Sequence, residues 1–69
     1  MVNQAIIDKI ERGDYLNDDE LKGAFKHFKL LSNLLYRMGK QWVIQARVAN
    51  SIMLRLYDQT QARGLKVKL

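Results

Sequence analysis

The nine residues LLYRMGKQW, Leu34 to Trp42, decide how the chain folds. Amphipathic helical sequence runs into them from one side and out on the other, and the only break is Gly39. A lone glycine costs a helix only about 1 kcal/mol relative to alanine, so one continuous rod is conceivable. The flanking segments argue for a hairpin. Each carries an apolar face wide enough to need covering, and the two match in length at over ~30 Å, using the helical rise of about 1.5 Å per residue. Gly39 is therefore read as the turn of an antiparallel pair, with Trp42 capping the hairpin end.

Working outward, NDDE (17–20) has the signature of a helix start. Asn17 accepts from first-turn amides, Glu20 sits at the reciprocal capping-box position, and the acids suit the positive helix end. Before it, NQAIIDKIERG reads as a short first helix with Ile6, Ile7 and Ile10 on one side and Gly13 as a left-handed cap. Gly64 ends the last helix in the same way. The expected fold is all-α: a short N-terminal helix plus a long antiparallel helical hairpin, with helices at about 3–12, 18–38 and 40–63 in a single domain. The tail GLKVKL (64–69) alternates apolar and basic residues. It is read as a frayed end, with strand addition to a partner as the other option.

The faces of the two long helices follow from a turn of about 100° per residue. Leu21, Ala24, Phe25, Phe28, Leu31, Leu35 and Met38 share one arc of the first arm and form its core side. Trp42, Ala46, Ala49, Ile52, Met53, Leu56 and Tyr57 do the same for the second. Some apolar residues are left over. Leu30 and Leu34 join His27 in a stripe beside the core face, and Ile44 and Val48 lie outside the core face of the second arm. Contiguous apolar surface of this kind marks an interface. His27, Leu30, Leu34, Ile44 and Val48 are thus the expected apolar interface, through which two copies dimerise into a helical bundle.

Charge is unevenly distributed. Residues 1–20 contain two basic and six acidic side chains, and residues 21–69 contain ten basic and one acidic, for an overall charge of +5. In KGAFKHFKLL (22–31) and beyond, Lys22, Lys26, Lys29, Arg37 and Lys40 fall on one stripe nearly opposite the core, with no acid at i±4 to pair with them. Arg47 and Arg55 on the second arm are expected to extend the stripe into a broad basic face. Such a face suits an acidic protein surface or phosphate groups, arginine by bidentate contact and lysine as a point charge.

Composition excludes much chemistry. With no cysteine and one histidine, thiol-based metal or redox sites and two-histidine metal sites within one chain are ruled out. No glycine-rich phosphate loop, nucleophile elbow or metal-ligand cluster is present, so no enzyme activity, cofactor, metal or small-molecule substrate is expected. No apolar run exceeds three residues, against the roughly 20 a bilayer span needs, and no leader is visible. A cytoplasmic protein without membrane association is expected. At 69 residues, a chain buries only about 60% of its unfolded surface, and self-association would add stability.

From LNDDELKGAFKHF (16–28) through LLYRMGKQW to RLYDQTQARG (55–64), the chain resembles short helical accessory proteins encoded by phages and prophages. The resemblance implies a cytoplasmic accessory role, modulating a host protein or a nucleic-acid process, and assigns no residue a function. From the residues themselves, two functions remain open. One is a small regulator or inhibitor that docks on a larger protein through its apolar and basic faces. The other is a basic helical dimer that contacts nucleic-acid phosphates without strong sequence specificity.

Overall fold

In a computed structural model describing residues 3–69, the chain forms three α-helices: α1 (Gln4–Arg12), α2 (Asp18–Arg37) and α3 (Val43–Ala62). A 3-10 turn, Lys40–Trp42, opens the return arm. The last helix therefore begins three residues later than the periodicity suggests. Gly39 makes the reversal with φ 112° and ψ −179°, a backbone conformation that side chains essentially forbid. The next residues tighten into i to i+3 bonding, with the Trp42 amide donating to the Gly39 carbonyl at 3.1 Å.

Capping sets the other boundaries. The Glu20 amide donates to Asn17 Oδ1 at 2.8 Å, and the Asn17 amide donates to Glu20 Oε1 at 3.1 Å. This reciprocal pair satisfies two amides that a helix start would otherwise leave open. The α1 and α3 ends share one device. Gly13 and Gly64 both take φ 72°; Asp14 N reaches Lys9 O and Leu65 N reaches Thr60 O, at 2.8 and 2.9 Å. Both are Schellman closures, which turn the chain back across the helix it has just left.

Between α2 and α3 lies the core: Leu21, Ala24, Phe25 and Phe28 against Ala49, Met53 and Leu56, with Ala46 buried higher in the seam. The alanines let the helix axes approach. Two small polar residues, Ser32 and Thr60, are buried in the same seam. Thr60 satisfies its hydroxyl by donating to the Tyr57 carbonyl at 2.6 Å. Met38, expected at the end of the core stripe, is half exposed. It lies beyond the last helical residue of α2, at the start of the turn.

Helix α1 lies over the open end of the hairpin, its Ile6 and Ile10 packed on the core. Lys9 Nζ donates to Glu20 Oε2 at 2.9 Å, and Leu16, 2% exposed, plugs the space beneath the connecting loop. Arg63, at the end of α3, donates to the Leu16 carbonyl at 2.7 Å and to Asp18 Oδ1 at 3.2 Å. Its guanidinium also stacks 4.7 Å above the Tyr15 ring. One side chain thus ties the loop of the short helix to the far end of the long pair.

The tail does not fray. After the turn at Gly64, Leu65 and Val67 pack against the core, and Lys29 Nζ donates to the Lys68 carbonyl at 3.1 Å. The alternation in LKVKL explains it, because one set of side chains can face the protein while the lysines between stay in water.

Candidate functional site

The tail brings together a site on one flank of α2. Lys22, Phe25, Lys26 and Lys29 from the helix, with Val67 and Lys68 from the tail, line one open cleft. Its floor is apolar: the Phe25 ring is buried and lies 5.8 Å from Tyr57, centroid to centroid, and Val67 adds a branched side chain. Its walls are ammonium groups. Lys66 alternates with Val67 in the tail and adds a further exposed cation close by. Sequence reasoning placed the helix lysines on one stripe but missed Val67 and Lys68. The only signal was the two-residue alternation, which gives no indication of where the tail docks.

Nothing neutralises these groups. Among the described residues three ion pairs form, Lys9–Glu20, Arg12–Asp14 and Arg63–Asp18. Lys22, Lys26, Lys29, Arg37, Lys40, Arg47, Arg55, Lys66 and Lys68 have no carboxylate within ion-pair distance. The nine are not one surface, however. Arg37, Lys40 and Arg47 sit at the turn end of the hairpin, whereas Arg55 lines a cleft between α1 and α3 with Ile10, Gly13 and Asp14. The broad basic face expected across both arms is therefore divided. The helical turn carries Arg55 to the opposite flank from the lysine cleft, while the tail supplies the cations that the second arm does not.

A second surface lies on that opposite flank. Phe28, Leu31 and Leu35 of α2 and Ile44, Val48, Ala49 and Ile52 of α3 line a shallow groove in which Gln45 is the one polar side chain. Leu30 and Leu34 stand next to it round α2, both more than half exposed, and Ile44 and Val48 form its opposite rim at 74% and 56% exposure. His27 is half-buried on the same side and meets Phe28 edge-on, with ring centroids 5.1 Å apart. Ile52 also lines the cleft under α1, so α1 and the groove share one side of the hairpin. With nine residues, α1 spans about 14 Å, against about 30 Å for each 20-residue arm. It covers the lower half of that side and leaves the half nearer the turn open.

Among the described residues no group of His, Cys, Asp or Glu is arranged to hold a metal ion, and no helix is long and apolar enough to cross a membrane. Glu20 carries a carboxyl of raised acidity. The backbone hydrogen bond from Asn17, then the bond from Lys9, hold its carboxyl below the usual carboxylate range. The first cause is the α2 cap and the second the α1–α2 ion pair, so the shift reports on structure. No protein-family model, curated protein or solved structure matches the chain significantly.

Proposed function

We propose that this chain is a small non-enzymatic helical interaction module of the cytoplasm, acting as a homodimer and regulating a larger protein by docking on an acidic segment of it. The docking site is the lysine cleft under the tail. The observation that supports this is the pairing of unneutralised lysines, Lys22, Lys26, Lys29 and Lys68, with an apolar floor of Phe25 and Val67. An acidic segment with interspersed apolar side chains uses both features, because its carboxylates meet the ammonium groups while an aliphatic or aromatic side chain covers the floor. The accessory role implied by the phage-like pattern of the sequence is compatible with such a regulator.

A phosphate backbone uses only the charges. It has nothing to place on an apolar floor, and stacking of bases requires aromatic rings that face outward, whereas Phe25 is buried. Nucleic-acid binding is the second reading, favoured by the excess of free cations alone.

The test compares two labelled probes by fluorescence anisotropy, a peptide of alternating Glu and Leu and a mixed-sequence DNA duplex. The peptide is expected to bind and to lose affinity in the Lys26→Glu, Lys29→Glu double variant. Tighter binding of the duplex, with a salt slope of about 0.9 log units per phosphate contacted, would instead establish the nucleic-acid reading. Capture of binding proteins from the native cell with wild type and the double variant side by side then identifies the physiological partner.

A further inference from the structure

The open groove on the α1 side is not used by the lysine cleft. It faces the other flank of α2, and filling it needs an apolar surface of matching shape. Three features of the chain specify that surface.

The first is relief. On this side of the hairpin α1 forms a ridge over the lower half, and the groove forms a recess over the upper half. A ridge and a recess of similar length on one face are self-complementary under a two-fold axis lying across the helices, which sets each ridge over the other recess. The second is charge. The α1 ridge carries Asp8 and Glu11, and the turn end of the hairpin, beyond the recess, carries Arg37, Lys40 and Arg47, none of them in an ion pair among the described residues. The antiparallel arrangement sets the acidic end of each copy toward the basic turn end of the other, whereas a parallel one sets acid on acid and ridge on ridge. The third is size. A stable interface takes about 800 Å² from each partner, roughly a sixth of the 5117 Å² this chain exposes, and one face of an elongated molecule 35 Å long supplies it.

We propose that the groove is occupied by a second copy of this chain, packed antiparallel, so that α1 of each protomer covers Ile44, Val48, Leu31 and Leu35 of the other. This rests on the self-association included in the proposed function and specifies its face and direction. Ile7 belongs to the ridge. It is half-buried but lies outside the core cluster that Ile6 and Ile10 join, and across the two-fold it meets the groove. The two lysine clefts, on the flank away from this interface, stay open in the dimer.

The test is sedimentation of the intact chain at high micromolar concentration, with directed disulfide formation. Wild type is expected at twice the chain mass. Val48→Asp, at a position exposed in the isolated chain, is expected to sediment as a monomer with an unchanged helical circular dichroism spectrum. The chain has no cysteine of its own, so a chain carrying Glu11→Cys can be mixed with one carrying Val48→Cys. A mixed disulfide between the two is the expected product. A dimer in which Glu11→Cys links to itself and not to the other chain would overturn the antiparallel packing while leaving self-association intact. A monomeric wild type would overturn both, and a Val48→Asp dimer would overturn the use of this groove.

Discussion

Arg63 Nη1 donates to the Leu16 carbonyl across 47 positions of sequence, at 2.7 Å. The bond joins the last residues of the long hairpin to the loop that carries α1. Because the donor is charged and the arginine side chain is only 23% exposed, it is worth more than a surface ion pair. Arg63→Ala is expected to lower unfolding free energy by about 1.5–3 kcal/mol, measured by urea denaturation. Arg63→Lys should recover only part of this, since an ammonium can neither stack flat on Tyr15 nor present a planar fork.

The glycines separate by backbone angle. Gly39 holds φ 112° with open space where a side chain would stand, so Gly39→Ala costs only backbone strain, about 1–3 kcal/mol. Gly23 is exposed in mid-helix with equally open space, and Gly23→Ala should stabilise by about 0.5–1 kcal/mol. Opposite signs in the two thermal melts would establish the hairpin turn; a stabilising Gly39→Ala would contradict it.

Leu21 is fully buried between the arms. Leu21→Ala is expected to cost about 2–5 kcal/mol, a large share of the stability available to a domain of this size. The variant should show a shallow, low-temperature melt by circular dichroism.

Acid should loosen the α1–α2 corner through Glu20. Its acidity is raised in the fold, chiefly by the Asn17 amide and then by Lys9, relative to a usual value of 4.5. The unfolded chain therefore takes up this proton first as the pH falls. The stabilisation is present above about pH 4.5 and is lost as the pH falls through the folded value. Glu20→Gln keeps an acceptor for the Asn17 amide but cannot titrate, so its melting temperature should decline less steeply below pH 4.5 than that of wild type.

Reversal of Lys26 and Lys29 to Glu should leave the melt close to that of wild type at Lys26, which is exposed and unpaired. At Lys29 it should release the tail carbonyl of Lys68. Binding of an acidic peptide should weaken about tenfold or more, as expected for two surface charge contacts totalling roughly 1.4 kcal/mol.

Much of the architecture was legible because it is local. The caps at Gly13, Asn17 and Gly64 are fixed by residues a few positions apart, and the stripe from Leu21 to Phe28 needs only the helical period. What was not legible depends on distant packing. Ser32 and Thr60 are buried polar residues on the two arms, which no polarity pattern reports. Leu16 reads as loop until Arg63 closes over it. Val67 and Lys68 read as a loose end until the Gly64 turn lays them on α2. Of the candidate residues, Lys22, Lys26 and Lys29 share a cleft, while Arg55 belongs to another surface because one helix turns it away from its neighbours.

Leu65 and Val67 rest on the core, so the final five residues are part of the fold's covering. A chain shortened to Gly64 would bare Phe25 among three lysines, giving a sticky, cationic surface prone to non-specific adsorption. Affinity tags and labels are better fused ahead of α1, and proteolytic trimming of the far end would change the protein's solubility before its helix content.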